Sequence, residues 1–473
     1  MELFFKLKEK IKEKDVITPK EMAIIDDNAE YLGVSKLQLM ENAGKAVYDE
    51  IKNINKYPII FCGTGNNGGD GFVVARFLNR GEVILLGKEE DIKTYEAREN
   101  FKILKNLSIF GNIKVREVKQ LNELEDIFKR LEKDDILVVD AMLGTGVRGE
   151  LREPYKTVVE KINLCKEKNK NLYVVSVDIE TGDLKSDLVV TFHKKKTINK
   201  KEPVVKEIGI PKEAEYIVGF GDLRALNKER GKHKGKNGKV LIVGGSKDYF
   251  GAPILSGLVS LKFVDLVGIF SVKKVIEKIE NPQFICYSVD DEYLSVDCLD
   301  YLLDISKKYD VIVLGNGLGI NEKTKEFVNK FLEETNKKVV IDADAIKMID
   351  YEKFEFEDRF IFTPHKKEFE YIKFNIEELY STILLKGEKD IIFNCENIKI
   401  NITGNSGLTK GGTGDVLAGL TGSLFVKNDA FLSACCSAFI LGYAGDLLLK
   451  EKGYNYTTLE VIEKIPNVIK LFM

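Results

Sequence analysis

The stretch KGGTGDVLAGLTGSLF, residues 410–425, decides how this 473-residue chain is read. Gly411, Gly412 and Gly414 run directly into an apolar-periodic helix whose first turn carries Asp415. Such a junction presents unpaired backbone N–H groups and the positive end of a helix dipole, and so suits an anion. The glycines let a phosphate approach the backbone closely, and Asp415 beside it can take a proton from an attacking hydroxyl. A turn followed by an acid-capped helix accounts for the same residues more plainly. The companions of the motif favour the chemical account. GNGLG (315–319), TPHKKE (363–368) and LLKG (384–387) each lie at the end of a β-branched run, and open α/β sheets bind ligands at the C-terminal ends of their strands.

Outward from this motif, LVGIFSV, DVIVLG, KVVIDADA, RFIFTPH and TILLKG alternate with helical patterns, and DIIF and IKINITG form a hairpin-like pair. The rhythm predicts a doubly wound parallel sheet. It starts at VLIVGG (240–245), behind NKERGKHKGKNGK (227–239), a basic run without hydrophobic period that reads as an interdomain linker. Upstream, PIIFCG (58–63), ILVVDA (136–141) and LYVVSVDI (172–179) repeat the same alternation. The predicted fold class is therefore α/β with two three-layer αβα domains. Residues 1–225 form the first, with 1–15 as a helical extension, and residues 226–473 form the second.

Composition supports this and narrows the partners. A hydrophobic content of 44% can build two cores. Lys and Arg (72) nearly balance Asp and Glu (75), so no field points to nucleic acid or anionic lipid, and a small metabolite is the expected partner. Seven cysteines without a CxxC pair suit a reducing compartment, and three histidines argue against a His-ligated metal centre. MELFFKLKEKIKEK is too evenly charged for a signal peptide. Ala430 to Gly445 is uncharged, but it is shorter than the ~18 residues of a membrane span and carries Ser, Gly and paired Cys, which predicts a buried helix. The expectation is a cytoplasmic protein without membrane or nucleic-acid partners. Abundant Lys, Glu and Ile, with only three Gln, lean toward a hot-growing source.

The ordered set GGSxxYxGA (244–252), GNGLG, DADA (342–345), TPHxxE, KGxxD (386–390) and GGTGD resembles the ADP- or ATP-dependent NAD(P)H-hydrate dehydratases, which have a ribokinase-like fold. The resemblance spans residues 226–473. It implies that Lys386, Gly387, Glu388, Lys389, Asp390 and Gly414 hold the nucleotide, and that Ala252, Gly317, His365 and Asp415 face the hydrated nicotinamide. In the implied reaction the ring hydroxyl attacks the terminal phosphate with Asp415 as base, and the phosphate ester then eliminates. Mg²⁺ is expected on the phosphates, although spacing alone identifies no ligand for it. Asn316 stands where the family usually has Pro, and Asp342 and Asp344 read either as ligand groups or as helix caps.

In the N-terminal half, GTGNNGGDGFVVARFL (63–78) is a glycine loop opening a helix, with spacing that does not fit a dinucleotide fingerprint. Asp140 in VVDAMLGTGVRGE and Asp178 in VSVDIETGD lie at two further strand ends. Each alone reads as a turn former; three loops at one sheet edge would define a site. NNGGDG, DAxxGTGxRG and DxxxGD, with LMENAG (39–44), Thr191, Phe192 and Lys196, resemble the NAD(P)H-hydrate epimerase family over residues 16–225. That resemblance implies that Asn66, Asn67, Gly68, Gly69 and Asp70, with Gly144, Thr145, Gly146, Val147, Arg148, Gly149 and Glu150, bind the hydrated cofactor. It also implies Asp178 as the acid–base group near the ring, and a potassium ion on Asn67, Asp140 and Thr181. The family's usual Pro-Ser is Glu180-Thr181 here, and a basic HKKK follows Phe192.

Together the two resemblances imply repair of hydrated NADH and NADPH. The first half would interconvert the R and S hydrates, and the second would dehydrate the S-epimer with ADP or ATP. The alternative is a ribokinase-like small-molecule kinase with a non-catalytic nucleotide-binding module in front of it. Both families' assemblies lead us to expect a homo-oligomer.

Overall fold

The computed structural model describes residues 1–146, 149–227, 229–233 and 235–472, which divide into two compact units. One comprises Lys14–Ala214, and the other Met1–Glu13 together with Glu215–Met473.

The first unit is built on a seven-stranded sheet in the order Ile113–Val118, Gly81–Leu86, Tyr57–Cys62, Ile136–Ala141, Tyr173–Val177, Leu188–Phe192, Val204–Lys206. Every pairing in it is parallel. The central strands are apolar at nearly every position because helices cover both faces. Helices Pro19–Tyr31, Lys36–Ile51, Asn66–Leu78 and Tyr95–Ser108 contribute to one core layer, and Glu125–Leu131 and Tyr155–Lys168 to the other. The chain reverses direction across the sheet between Tyr57–Cys62 and Ile136–Ala141, which opens a crevice at their C-terminal ends.

The second unit carries a nine-stranded sheet: Phe284–Val289, Leu266–Val272, Lys239–Val243, Val311–Leu314, Lys338–Ile341, Phe360–Phe362, Thr382–Leu385, Asp390–Phe393, Ile398–Asn401. The first seven run parallel and the last two form the expected antiparallel hairpin. Leu299–Ser306 and Glu322–Glu334 cover one face. Gly251–Ser260, Thr413–Phe425 and Ala430–Lys452 lie on the other. Ala430–Lys452 is long and apolar enough to cross a membrane by composition, but 78% of its apolar window is buried in this unit, as its paired Cys and small residues predict. The crevice here lies between Lys239–Val243 and Val311–Leu314.

The units divide at 214/215 rather than at 225/226. Residues 215–226 belong to the second unit because Ile217 bridges to Ile400, Phe220 packs on Phe439 and Phe472, and Asp222 pairs with Lys399. The described residues of the basic run from Asn227 to Gly238 accordingly form a loop within that unit, leading into strand Lys239–Val243, and Asn237 is held by Asp265. Glu2–Lys10 is a helix as expected, but it is no extension of the first half: Phe4 and Leu7 are buried in the second unit's core, with Phe4 edge-on to Tyr216.

Candidate functional site

Each unit gathers its motifs at the C-terminal edge of its own sheet. In the second unit Val243, Leu314, Ile341 and Phe362 are paired across neighbouring strands. The residues that follow, Gly244, Gly315, Asp342 and Thr363, therefore leave the sheet side by side. Helix Thr413–Phe425 starts above this edge, with Gly412 in a left-handed conformation; Thr413 N donates to the Lys410 carbonyl at 3.3 Å, and among the described residues no side chain caps the N-terminus.

Asp415 in that first turn is tied to the sheet by Asn316, whose Nδ2 donates to Asp415 Oδ1 at 2.7 Å and to Asp342 Oδ2 at 3.0 Å. Asp342 also accepts from Thr363 Oγ1 at 2.8 Å and from Lys386 Nζ at 2.9 Å. Burial and the neighbouring Asp342 charge push the Asp415 carboxyl up to about 6, against the opposing pull of Asn316 and Lys386. Lys386 is held above the usual lysine range because Asp342, Glu368 and Asp415 outweigh its burial. A carboxylate poised near neutrality, a fixed cation and a helix N-terminus without a side-chain cap suit proton removal beside a phosphate.

The remaining predicted residues surround this network. A methyl placed on Gly317 would lie 3.4 Å from Ala252 Cβ, and one on Gly414 would lie 3.5 Å from Lys386 Nζ. His365 is exposed and caps helix Lys366–Phe369, its Nδ1 accepting from the Glu368 N–H at 3.1 Å. Gly387, Glu388 and Lys389 form the exposed turn between Thr382–Leu385 and Asp390–Phe393, and Asp390 accepts from Gly387 N and Asn401 Nδ2, each at 3.0 Å. Asp344 accepts from Gly319 N at 3.0 Å and pairs with Lys347, so it braces the GNGLG loop.

In the first unit a cavity of about 550 Å³ opens at the crevice. Asn66–Leu78 begins directly after Tyr57–Cys62, and this close return requires glycine: a methyl on Gly68 would run into the Gly63 carbonyl oxygen. Asn66, Asn67, Asp70, Gly144, Thr145 and Gly146 line the cavity, whereas Gly149 and Glu150 are exposed. Val147 and Arg148 lie outside the described residues.

Opposite the glycine loop, Asp178 Oδ1 accepts from Lys196 Nζ at 2.6 Å and from Thr191 Oγ1 at 2.8 Å. Lys196 is almost wholly buried and also donates to the Phe192 carbonyl at 2.7 Å. Burial and the Asp178 charge push Asp26 up to about 7 and hold Asp70 well above the carboxylate range. Asp26, on helix Pro19–Tyr31, has no motif around it and escapes sequence reasoning; only its place on the amphipathic helix before LMENAG hints at it.

Asp140 is fully buried beneath the cavity and accepts from Thr181 Oγ1 at 2.7 Å, Thr181 N at 3.0 Å and Ser176 Oγ at 2.8 Å. Asn67 Nδ2 donates to the Leu143 carbonyl at 3.0 Å, and Leu143 N in turn donates to Thr181 Oγ1 at 3.3 Å. Among the described residues, Asn67 Oδ1 is buried without a hydrogen-bond partner, which is the condition expected of a cation ligand. Glu180 turns away from this cluster, accepting from the backbone N–H groups of Lys200 and Lys201 at 3.3 and 2.8 Å. Its charge is thus absorbed by the basic segment.

Comparison with known proteins covers both halves. Residues 240–467 match the NAD(P)H-hydrate dehydratase family model, and residues 36–197 match that of the YjeF-related protein N-terminus. The bifunctional NAD(P)H-hydrate repair enzyme Nnr of Methanocaldococcus jannaschii is 69% identical over 100% of this chain and 97% of its own length. The Archaeoglobus fulgidus enzyme of the same name is 39% identical over 96% of this chain and 98% of its own. Among solved structures, the ADP/ATP-dependent NAD(P)H-hydrate dehydratase of Bacillus subtilis, co-crystallised with ATP and Mg²⁺, is 26% identical over 55% of this chain and 99% of its own, with a TM-score of 0.47. Matched end to end by such relatives and carrying both families' motifs at its two sheet edges, the chain belongs to the bifunctional NAD(P)H-hydrate repair enzymes.

Proposed function

We propose that the second unit dehydrates the S-epimer of hydrated NADH or NADPH with ADP or ATP as phosphoryl donor, and that the first unit feeds it by interconverting the two epimers. The observation that carries the reading is Asp415, a half-buried carboxyl pushed up to about 6 in the first turn of a helix without a side-chain cap, with Lys386 close by. Asp415 takes the proton of the ring hydroxyl as its oxygen attacks the terminal phosphorus, and the bond from phosphorus to the departing nucleotide breaks. The ring nitrogen then expels phosphate, the adjacent carbon loses a proton, and the C=C bond of the dihydronicotinamide forms. ADP as donor leaves AMP and phosphate. The helix N-terminus and Lys386 oppose the phosphate charge, and Mg²⁺ arrives with the nucleotide. Ala252, Gly317 and His365 border the nicotinamide, and the turn Gly387–Asp390 with Gly414 borders the nucleotide.

In the first unit Asp178, held by Lys196, is the acid–base group for opening and reclosing the hydrated ring. Asn66–Asp70 and Gly144–Glu150 hold the cofactor. Asn67, Asp140 and Thr181 supply oxygens suited to potassium, a reading supported by the unpartnered Asn67 Oδ1. A bound potassium ion would order the loop floor and offset the Asp140 charge. Seven unbridged cysteines support a reducing, cytoplasmic setting, and we assign a homo-oligomer by analogy with both families.

Product analysis tests the dehydratase reading. Incubation of the S-hydrate with ADP or ATP and Mg²⁺ should yield NADH, inorganic phosphate and the shortened nucleotide. A stable phosphoester accumulating instead would overturn it in favour of a small-molecule kinase.

A further inference from the structure

Asn316 lies in the GNGLG loop that follows strand Val311–Leu314, and it is fully buried. Its Nδ2 donates to two different carboxylates, Asp415 at 2.7 Å and Asp342 at 3.0 Å. Chemistry fixes this orientation, since the amide oxygen turned toward either carboxylate would set two acceptors against each other. The cost falls on the other end of the amide: among the described residues, Asn316 Oδ1 is buried with no hydrogen-bond partner. A side chain selected for packing alone would not leave a buried acceptor unsatisfied in order to bridge two like charges.

The groups facing Asp415 come from three strand ends. Asp342 follows Lys338–Ile341, Lys386 follows Thr382–Leu385, and Asn316 follows Val311–Leu314. Glu368, on Lys366–Phe369, acts on Lys386 in turn. Asp342 is already served by Thr363 and Lys386. Asp415 has the Asn316 amide, together with the Lys386 charge, against the Asp342 charge, and of the two only Asn316 donates it a hydrogen bond; a proline at 316 could offer it no side-chain donor.

We propose that Asn316 is a positioning residue for the base: its single amide spaces Asp415 from Asp342, keeps the Asp415 carboxylate ionised at working pH, and leaves Oδ2 for the substrate hydroxyl. The proposal rests on the reading of Asp415 as that base. No proton passes through Asn316. The hydroxyl proton ends on Asp415, which loses its repulsion with Asp342 once it is neutral.

The test is the pH dependence of dehydration at saturating S-hydrate and nucleotide, from about pH 5 to about pH 9, since a general base must be ionised to act. Full-length wild type, Asn316→Ala, Asn316→Pro and Asn316→Asp are compared, with thermal unfolding as the check on folding. The wild-type rate should fall below about pH 6, as Asp415 protonates. Asn316→Ala and Asn316→Pro should move this acid limb upward by about one pH unit, the worth of a lost charge-assisted hydrogen bond, with rate regained at high pH. Asn316→Asp should move it further, because it adds a third carboxylate. Normalised profiles that superimpose on wild type, or rates depressed equally at every pH in the folded variants, would overturn the proposal. So would failure of all three variants to fold, which would make Asn316 a packing residue. A wild-type enzyme that dehydrates nothing would instead remove the reading of Asp415 itself, and the wild-type arm alone registers that outcome.

Discussion

Asp415 works at a cost to the fold that can be measured. Its folded-state value is about 6 against an ordinary 3.8, so the native state favours the protonated form. The penalty on the ionised form is fully present above about pH 6, shrinks as pH falls, and is gone below the ordinary value of 3.8. Asp415→Asn should therefore lower dehydration by about a thousandfold or more while raising stability at about pH 8 by about 1–3 kcal/mol, with the gain vanishing near pH 4. Urea denaturation at the two pH values checks this, and a variant no more stable than wild type at the higher pH would contradict the burial argument. In the other unit Asp178 is the carboxylate that neutralises the buried Lys196. Asp178→Asn should leave dehydration of the S-epimer at the wild-type rate and slow consumption of the R-epimer by about a hundredfold, read by chromatography of the two hydrates. Equal consumption of both epimers would clear Asp178 of the role.

At the scale of elements, the proposed base Asp415 is placed by the seating of one helix. Gly419 of Thr413–Phe425 packs on the backbone of Ser256, and an added methyl would lie 2.7 Å from Ser256 Cα. Gly419→Ala must lift the helix from Gly251–Ser260, at about 1–3 kcal/mol of stability. Its kcat should drop about tenfold or more as Asp415 leaves its place; calorimetry and steady-state kinetics report the two effects, and an unchanged kcat would show that this seating does not aim the base. Such junctions are also where the sequence is most legible. Glycine loops, strand-end acids and helix starts need particular residues at particular spacings, so GGTGD, NNGGDG, Asp140 and Asp178 stand out in the sequence; each alone also reads as a turn or cap, and it is their grouping with the other motifs that marks them as site candidates. Asp26 is not, because only packing brings Pro19–Tyr31 to the cavity. The edge strand Ile113–Val118 is equally hard to read, its Lys114, Arg116 and Glu117 breaking the apolar run that marks the buried strands. The unit boundary is obscured for a similar reason: the basic run at 227–239 resembles a linker, while the contacts that bind 215–226 and Phe4 to the second unit are long-range in sequence.

At the scale of the whole molecule, two sites with separate chemistry on one chain should fail separately. Spontaneous hydration gives both epimers, and a shaped site accepts one, so an epimerase on the same chain makes the whole pool repairable. On the proposed potassium site, exchanging potassium for tetramethylammonium should slow R-epimer consumption, because Asn67 Oδ1 would then have no cation to bind, while dehydration of the S-epimer continues; loss of both rates together would argue against a cation confined to the first unit. The most direct measurement gives the purified protein an equal mixture of the two NADH hydrate epimers with ADP or ATP, Mg²⁺ and potassium, and follows dihydronicotinamide absorbance. The predicted result is recovery of the whole pool in wild type, recovery of only the S half at the wild-type rate in Asp178→Asn, and none in Asp415→Asn. No recovery by the wild-type protein with either nucleotide would contradict the account.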